Sequence, residues 1–375
     1  MTAHEKQKIV VIFGGRSGEH DVSLMSARSV LETLNPEKFE IIQVGITHDG
    51  VWLSGEDVLD AMTVGETDEL FPVTLLPDPT RPGLYRLNMS RGGDRLELLT
   101  EFDLVFPVLH GTFGEDGTLQ GLFEMAGVAY VGAGVVGAAV GMDKGIFKDV
   151  MRSHGIPVVE AVVALRSELE TNMDAVLDRA EDLADYPLFV KPANMGSSVG
   201  VSKCTSRADL LEGLMEAARF DRRILVERGV NAREIEISVL GNDNPKASIP
   251  GEIRPAAEFY SYEAKYHDDR SELFIPARIP DELADEMRDV AVRAYRAIDC
   301  AGMARVDFML DRDTGEYYLN ELNTIPGFTQ ISMYPKLWEA SGLSYSDLVD
   351  RLIELALQRR AERDRTEWRY QRPGS

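Results

Sequence analysis

The stretch ARVDFMLDRDTGEYYLNELN, residues 304–323, has the pattern of a β-hairpin. Two runs rich in apolar and aromatic residues flank a polar turn, DRDTG, at 311–315. Side chains two residues apart in a strand face the same side, so Arg305 lies beside Asp307, and Glu321 lies beside Asn323. If the two strands pair across the turn, one face of the hairpin carries two carboxylates, a carboxamide and a guanidinium.

These four side chains predict a site for metal-bound phosphate. Carboxylate and amide oxygens are the ligands that Mg²⁺ prefers when it is held against substrate phosphates. An adjacent arginine suits charge that develops on a transferred phosphoryl group or an oxyanion. A solvated strand face with surface ion pairs is the alternative. The DRDTG turn does not match a calcium loop, because its glycine comes one position early and the closing glutamate is missing.

A second hairpin, KPANMGSSVG at 191–200, has a tip made of small residues. Lys191 ends a predicted strand, and the backbone N–H groups of such a tip can fold over a triphosphate. Lys144, on a predicted helix over 140–155, could supply a second cation. The segment is not a P-loop, since GxxxxGK[ST] does not occur. An ordinary turn remains the alternative for this segment.

The N-terminal third alternates strands and helices. KIVVIFGG (8–15), FEIIQVGIT (39–47) and FDLVFPVLHG (102–111) are typical of strands, and SLMSARSVLETL (23–34) is typical of a helix. This order predicts an α/β domain with a mostly parallel sheet. Glu19 and His110 follow strand ends, where such sheets bind ligands, although an exposed turn acid and a structural histidine are the simpler interpretations. Residues 51–100 carry no regular pattern. Further along the chain, the sequence predicts a long loop over residues 256–275 and a final helix over residues 344–362.

The composition limits the classes of partner. The chain has 375 residues, so we expect two or three domains. Its net charge of -23 disfavours nucleic acid and anionic membranes as partners. Two cysteines far apart do not form a disulfide framework, and no apolar run is long enough for a leader or a membrane span. We therefore expect a soluble cytoplasmic protein.

Eight segments in one order resemble the D-alanine–D-alanine ligases of the ATP-grasp superfamily. They are GGRSGEHDVS, LHGTFGEDGTLQG, GMDK, KPANMGSSVGV, VERGVNAREIEISVLG, YEAKY, ARVDFML and NELNTIPGFTQISMYP. The resemblance implies that ATP phosphorylates the carboxylate of one D-alanine, and that the amine of a second D-alanine displaces phosphate. The dipeptide would enter peptidoglycan precursors, and thus cell-wall biogenesis and cell shape. The implied α/β and α+β ATP-grasp fold has three lobes: 1–138 with a Rossmann-like parallel sheet, 139–228, and 229–365 with the metal site and the loop 256–275. A homodimer is also implied.

The same resemblance assigns roles to individual residues. Two Mg²⁺ ions, or Mn²⁺, would be held by Asp307, Glu321 and Asn323. ATP would be bound by Lys144, Lys191, Ser197, Ser198, Glu227, Val230, Glu234 and Lys265, with Glu227 on the adenine amino group and Glu234 on the ribose. The substrates would be bound by Glu19, His110, Arg305, Gly327, Ser332 and Met333. Catalytic roles would fall to Glu19, Ser197, Tyr266 and Arg305.

Two details of the resemblance bear on specificity. Tyr266 stands where ligases that make the dipeptide have tyrosine, and its hydroxyl would join Ser197 and Glu19 in a network that closes the loop over the site. Relatives that prefer D-lactate have another residue there. An aromatic residue that some members carry between the two adenine-pocket acids is absent, since the segment reads VERGV at 226–230. The adenine contact there would be made mainly by the backbone.

Four other functions fit the sequence less well. Tyr266 argues against a D-alanine–D-lactate ligase, and no biotin or bicarbonate site supports a biotin carboxylase-like enzyme. An inert ATP-binding module would have little use for Arg305 beside the γ-phosphate. A Rossmann-type dehydrogenase would need a complete G-x-G-x-x-G after the first strand, and GGRSGEH lacks it.

Overall fold

The computed structural model describes residues 6–89, 93–254 and 272–367. These residues form three β-sheets with helices packed against them. Among the described residues, no helix is both long and apolar enough to cross a membrane.

The first sheet has eight strands, in the order β6-β5-β4-β3-β2-β1-β7-β8. Its strands are β1 Gln7–Gly14, β2 Phe39–Ile46, β3 Trp52–Ser54, β4 Phe71–Leu75, β5 Leu84–Asn88, β6 Arg95–Thr100, β7 Leu104–Val108 and β8 Ala129–Tyr130. The helices of this part of the chain are α1 His20–Thr33, α2 Val58–Val64 and α3 Thr118–Ala126. β1 is wholly buried beyond its first two residues, as its run of β-branched residues predicted.

The predicted parallel strands are present, but the expectation that they make up most of the first sheet is wrong, because residues 51–100, for which no elements were predicted, add four antiparallel strands. Only β2, β1, β7 and β8 pair in parallel, and β3 to β6 extend the sheet as an antiparallel meander. The meander is hard to recognise because its strands are only three to six residues long and partly exposed. Five of the six residues in β6 are exposed, so apolar alternation gives no signal there.

The second sheet is antiparallel, in the order β11-β10-β12-β9. Its strands are β9 Ala161–Leu165, β10 Leu188–Pro192, β11 Ser202–Cys204 and β12 Arg223–Arg228, and its helices are α6 Arg166–Glu181 and α7 Arg207–Phe220. Two helices precede it, α4 Val135–Met142 and α5 Lys144–Ser153. The single helix predicted over 140–155 is divided at Asp143. The backbone of Asp143 is extended, and its side chain accepts hydrogen bonds from the backbone N–H groups of Gly145 and Ile146 at the start of α5.

The third sheet contains the hairpin of residues 304–323. Its path is β16-β15-β13-β17-β18, with β14 paired to β13. The strands are β13 Ala232–Leu240, β14 Lys246–Ala247, β15 Gly251–Arg254, β16 Glu272–Phe274, β17 Met303–Asp311 and β18 Tyr317–Asn323; the helices are α8 Asp281–Ala297, α9 Met333–Ala340 and α10 Tyr345–Arg363. The loop predicted over 256–275 is wrong at its end, because β16 pairs with β15 there. Residues 256–271 lie outside the described residues.

The predicted domain boundaries stay a proposal. The division after residue 138 falls inside α4, and the division after residue 228 falls between β12 and β13. Each of the three sheets is nevertheless built from one continuous section of the chain, in the order of the three predicted lobes.

The last helix packs on the first sheet. Leu348, Leu352 and Ile353 of α10 lie in the same buried cluster as Ile9 and Phe106. Near the end of α10, Arg359 donates a hydrogen bond of 3.0 Å to the carbonyl of Tyr130 and another to the carbonyl of Gly132. The C-terminal helix therefore completes the core of the N-terminal sheet.

Arg359 offers a test of this packing. Arg359→Met keeps the aliphatic stem but leaves two carbonyls without their donor, so we expect the free energy of unfolding to fall by about 1–3 kcal/mol. Arg351→Met, on the same helix, removes a side chain that is 42% exposed and pairs with Glu354 three residues along the helix, so it should cost less than about 0.5 kcal/mol. Urea denaturation of both variants would measure the difference. Equal losses would contradict this account of α10.

Candidate active site

The polar face of the β17–β18 hairpin forms as the sequence predicted. Arg305 stands opposite Asn323, and Asp307 stands opposite Glu321. The Arg305 guanidinium donates to both oxygens of Asp307, at 2.8 and 2.7 Å, and Nδ2 of Asn323 donates to Asp307 at 2.9 Å. The two carboxylates, the carboxamide and the guanidinium therefore lie together on one face.

A fifth side chain, Glu236 of β13, belongs to this face. Its carboxylate is 3.1 Å from Nε of Arg305, and the residue is 5% exposed. Burial alone would lower the pKa of Arg305, but the carboxylates of Asp307 and Glu236 raise that pKa well above its usual value. Arg305 therefore keeps its charge among these acids. Sequence reasoning missed Glu236. It stands two positions after Glu234, and in a strand this spacing places both side chains on the same face, which could have pointed to it.

The donor set of this face fits a hard divalent cation. Because Asn323 gives its amide hydrogen to Asp307, its carbonyl oxygen is oriented away as an acceptor, and the carboxylates of Asp307 and Glu321 add further oxygens. Oxygen ligands of this kind suit Mg²⁺ or Mn²⁺.

Lys144 connects the hairpin face to the second sheet. It is the first residue of α5, and its ammonium donates to the carbonyl of Met195 at 2.7 Å and lies 3.6 Å from Glu321. Met195 belongs to the small-residue tip between β10 and β11. One lysine thus contacts both elements that the sequence singled out for phosphate binding.

The same tip reaches the first sheet through Ser197. Its hydroxyl donates a short hydrogen bond to the carboxylate of Glu19, at the N-terminus of α1. Ser197 and Ser198 both adopt left-handed backbone conformations, at φ 49° and 59°. A Cβ added at Gly196 would lie 2.6 Å from the Glu19 carboxylate, so a side chain there would displace that carboxylate from its present position.

His110 joins the first sheet to the segment that follows the hairpin. Its Nδ1 is 2.8 Å from the carbonyl of Ile325, and its Nε2 is 3.0 Å from the hydroxyl of Ser26. A carbonyl only accepts, so Nδ1 carries the proton and Nε2 accepts from Ser26. Burial lowers the pKa of His110, which keeps the ring neutral. Ser26 also accepts from the backbone N–H of Phe328, and no sequence signal pointed to it.

The turn before α9 holds the remaining predicted substrate residues. Ser332 is the N-cap residue of α9 and Met333 is its first residue. The hydroxyl of Ser332 lies 2.7 Å from that of Thr329, and a Cβ added at Gly327 would lie 3.2 Å from it. Gly327, Ser332 and Met333 therefore form one compact turn, and backbone N–H groups at a helix N-terminus attract a carboxylate.

Glu115 is a second buried acid that sequence reasoning did not single out. Its two oxygens accept from the backbone N–H groups of Gly111, at 2.7 Å, and Ile325, at 3.0 Å. Burial, assisted by the nearby carboxylate of Glu19, raises the pKa of Glu115 to about 8. Its position in the LHGTFGEDGTLQG segment was the only signal available. Glu115 ties the ends of β7 and β18 together.

The predicted adenine-pocket acid Glu227 lies in an ion triad. One of its oxygens is 2.5 Å from Nζ of Lys191 on the adjacent strand β10, and the other is 2.7 Å from Nζ of Lys148 on α5. Burial alone would raise the pKa of Glu227, but the two lysines outweigh it and lower the pKa to about 2. Sequence reasoning missed Lys148, which stands four residues after Lys144 and so shares its side of the helix.

The other predicted nucleotide residues are near this triad in the chain. Val230 is half-buried in the connection from β12 to β13, and Glu234 is half-buried on β13. Lys265 and Tyr266 lie outside the described residues, so the network predicted for Tyr266 is seen only in its Ser197–Glu19 bond.

Two protein-family models match the chain. One, described as the N-terminus of D-ala D-ala ligase, matches residues 8–133, and the other, described as its C-terminus, matches residues 150–354. The chain belongs to the D-alanine–D-alanine ligase family. The predicted resemblance is thereby confirmed.

Relatives of this ligase cover nearly its whole length. A D-alanine–D-alanine ligase from Natranaerobius thermophilus is 49% identical over 362 residues, which cover 96% of this chain and 98% of that protein. One from Heliobacterium modesticaldum is 50% identical, covering 96% of this chain and 97% of that protein. Both likenesses extend across the N-terminal and the C-terminal family models.

Solved structures confirm the predicted ATP-grasp fold. The VanG D-Ala:D-Ser ligase from Enterococcus faecalis has a TM-score of 0.83 at 36% identity, covering 94% of this chain and 100% of that chain. The D-alanine–D-alanine ligase from Coxiella burnetii has a TM-score of 0.79, also at 36% identity, covering 96% of this chain and 97% of that chain. The arrangement of the ligase's three sheets is therefore shared with known enzymes.

The raised pKa of Glu115 should make the stability of the ligase depend on pH. When the pKa of a carboxyl group is higher in the folded chain than in the unfolded chain, the group stabilises the fold at pH values below its unfolded-state pKa. This stabilisation is lost as the pH rises through the folded-state pKa. We therefore expect the free energy of unfolding to fall between about pH 4.5 and about pH 8, and to fall less steeply in Glu115→Gln. Urea denaturation at several pH values would measure the two slopes.

Glu212→Gln is the matched control, because Glu212 lies on an exposed position of α7. This variant should keep the slope of the unaltered ligase. If Glu115→Gln also kept the slope of the unaltered ligase, the prediction that the pKa of Glu115 is raised would be wrong.

Proposed function

We propose that this ligase joins two molecules of D-alanine to D-alanyl-D-alanine and cleaves ATP to ADP and phosphate, by way of D-alanyl phosphate. The observation that carries the proposal is the meeting of three elements at one place. The carboxylate face of β17 and β18 touches Lys144, Lys144 touches the glycine- and serine-rich tip, and that tip is bonded to Glu19. Phosphate, metal and amino-acid groups would therefore be bound side by side.

The nucleotide would lie between the second and third sheets. Lys144, Lys191 and the backbone at Ser197 and Ser198 would contact its phosphates, joined by Lys265. Glu227 would accept a hydrogen bond from the adenine amino group, Val230 would contact the base through its backbone, and Glu234 would bind the ribose. The ion triad of Glu227 supports the first of these roles, because its low pKa keeps the carboxylate an acceptor at any ordinary pH.

Asp307, Glu321 and Asn323 would hold two Mg²⁺ ions, for which Mn²⁺ could substitute. When bound, such ions neutralise phosphate charge and align the transferred group. Arg305 is fixed by Asp307 and Glu236, so it would present a preset positive charge to the acyl phosphate and to the oxyanion formed when the amine attacks.

The two D-alanine sites would lie on either side of Arg305. Glu19 would bind the ammonium of the first D-alanine, with His110 near the same subsite. The turn made by Gly327, Ser332 and Met333 would bind the carboxylate of the second, since the start of α9 favours negative charge. Tyr266 would join Ser197 and Glu19 to exclude water, because an acyl phosphate is otherwise hydrolysed.

The setting of the reaction is part of the proposal. Synthesis of a peptidoglycan precursor from ATP and D-alanine would take place in the cytoplasm, and the enzyme would act as a homodimer. Cytoplasmic ATP and the buried, reduced cysteines Cys204 and Cys300 suit that compartment.

Phosphate release from Mg-ATP would test the proposed reaction. We expect turnover with D-alanine alone, a product with the mass of D-alanyl-D-alanine, and none with L-alanine. Parallel mixtures of D-alanine with D-lactate and with D-serine distinguish the related activities, because each gives a product of different mass. A depsipeptide as the main product would make the prediction from Tyr266 wrong, and nucleotide binding without any phosphate release would favour an inert ATP-binding module.

Asp307→Ala should remove a metal ligand and release the guanidinium of Arg305. We expect kcat to fall by about 10²-fold or more, on the scale of losing a preorganised electrostatic contact. Asp313→Ala is the control, because it removes an exposed aspartate from the turn of the same hairpin. It should change kcat by less than about twofold. Near-normal turnover in Asp307→Ala would show that the metal assignment is wrong.

A further inference from the structure

Lys148 is the most deeply buried of the described lysines in the nucleotide-binding region, and the proposed reaction gives it no task. Its side chain is 1% exposed, against 11% for Lys191 and 14% for Lys144. Its ammonium lies 2.7 Å from Glu227 and 3.4 Å from the carbonyl of Val159. A buried charge of this kind is costly unless it is paired, and the carboxylate that pairs with Lys148 is the predicted adenine-pocket acid.

One carboxylate with two buried lysines is more than charge balance requires. Burial lowers the pKa of Lys148, while the carboxylate of Glu227 counters it by raising that pKa. The arrangement has a use if one lysine leaves Glu227 when nucleotide binds. Lys191 is the candidate, because it is the more exposed of the two and would turn to the phosphates. Lys148, enclosed on α5, would remain.

We propose that Lys148 is a positioning residue that keeps Glu227 ionised and in place while Lys191 contacts the nucleotide, and that it thereby sets the preference for adenine over guanine. This inference rests on the proposed function, since it takes ATP to be the nucleotide bound here. Adenine carries an amino group where guanine carries a carbonyl oxygen. An ionised carboxylate accepts from the amino group and repels the carbonyl, so the charge on Glu227 selects the base.

Lys148 stands four positions after Lys144 on α5, and this spacing gives the two lysines different partners along one side of the helix. Lys144, in the first turn, reaches the tip at Met195 and the hairpin face at Glu321. Lys148, one turn later, reaches Glu227. One helix would therefore position the groups at the phosphate end and at the base end of the same nucleotide.

Calorimetric binding of Mg-ADP and Mg-GDP would test the inference without turnover. In Lys148→Met we expect ADP to bind about tenfold or more weakly and GDP to change by less than about threefold, so that the ADP:GDP preference falls about tenfold. In steady-state assays KM for ATP should rise by a similar factor, while kcat at saturating ATP changes by less than about threefold. Lys148→Arg should recover most of the preference, because it keeps the charge.

Lys246→Met is the matched control, because it removes an exposed lysine on β14 and should leave both affinities unchanged. If Lys148→Met weakened ADP and GDP equally, Lys148 would serve only the fold, and the inference would be overturned. An ADP:GDP preference that Lys148→Met left unchanged because neither affinity fell would overturn the inference too. Failure of the unaltered ligase to bind ADP would instead overturn the proposed function, and the inference with it.

A double-mutant comparison keeps the inference testable if Lys148→Met alone does not fold. Glu227→Gln makes the acceptor neutral, so Lys148→Met in that background removes one of two buried lysines beside a neutral side chain and takes no partner away from a buried carboxylate. Because Lys148 is inferred to act only through Glu227, the ADP:GDP preference of the double variant should lie within about twofold of that of Glu227→Gln. A further large fall would show that Lys148 acts on the nucleotide by another route.

Discussion

The guanidinium of Arg305 holds together a group of acids that would otherwise repel one another. Asp307, Glu236 and Glu321 project from three neighbouring strands of a chain whose net charge is already -23. Arg305 contacts the first two, and Lys144 approaches the third. Repulsion between carboxylates on neighbouring strands is strong where water is excluded. The two cations therefore allow an acidic protein to gather carboxylates on one face, which is the face proposed to bind metal ions and, with them, the nucleotide.

Side-chain bonds from that face outward join the three sheets. Lys144 contacts the second sheet's glycine- and serine-rich tip, and Ser197 of this tip contacts Glu19 of the first sheet. His110 and Glu115, which follow β7 of the first sheet, are both hydrogen-bonded to the backbone of Ile325, just after the hairpin of the third sheet. Each of these bonds joins residues that are at least 51 positions apart in the chain. The site is thus a product of how the sheets meet, and no single lobe contains it.

This origin explains what the sequence could predict. The hairpin face followed from strand alternation and one turn, and the structure has the expected pairs. The parallel strands and most helices followed from apolar patterns of sufficient length. The meander at 51–100 did not, because short, half-exposed strands carry little pattern. Lys148, Glu115 and Ser26 were missed for a different reason: their importance depends on partners in other elements, and no local pattern specifies those partners. The roles of the individual site residues remain predictions.

The position of the last helix constrains how the molecule is made. A chain leaves the ribosome N-terminus first, and its domains commonly fold in that order. Here the first sheet is synthesised early, but Leu348, Leu352 and Ile353, which cover part of it, emerge only near the end of translation. Until then the buried faces of β7 and β8 have no complete partner, and contacts across more than 200 residues are slow to form. Nascent chains of this protein would therefore need protection of that surface throughout most of their synthesis.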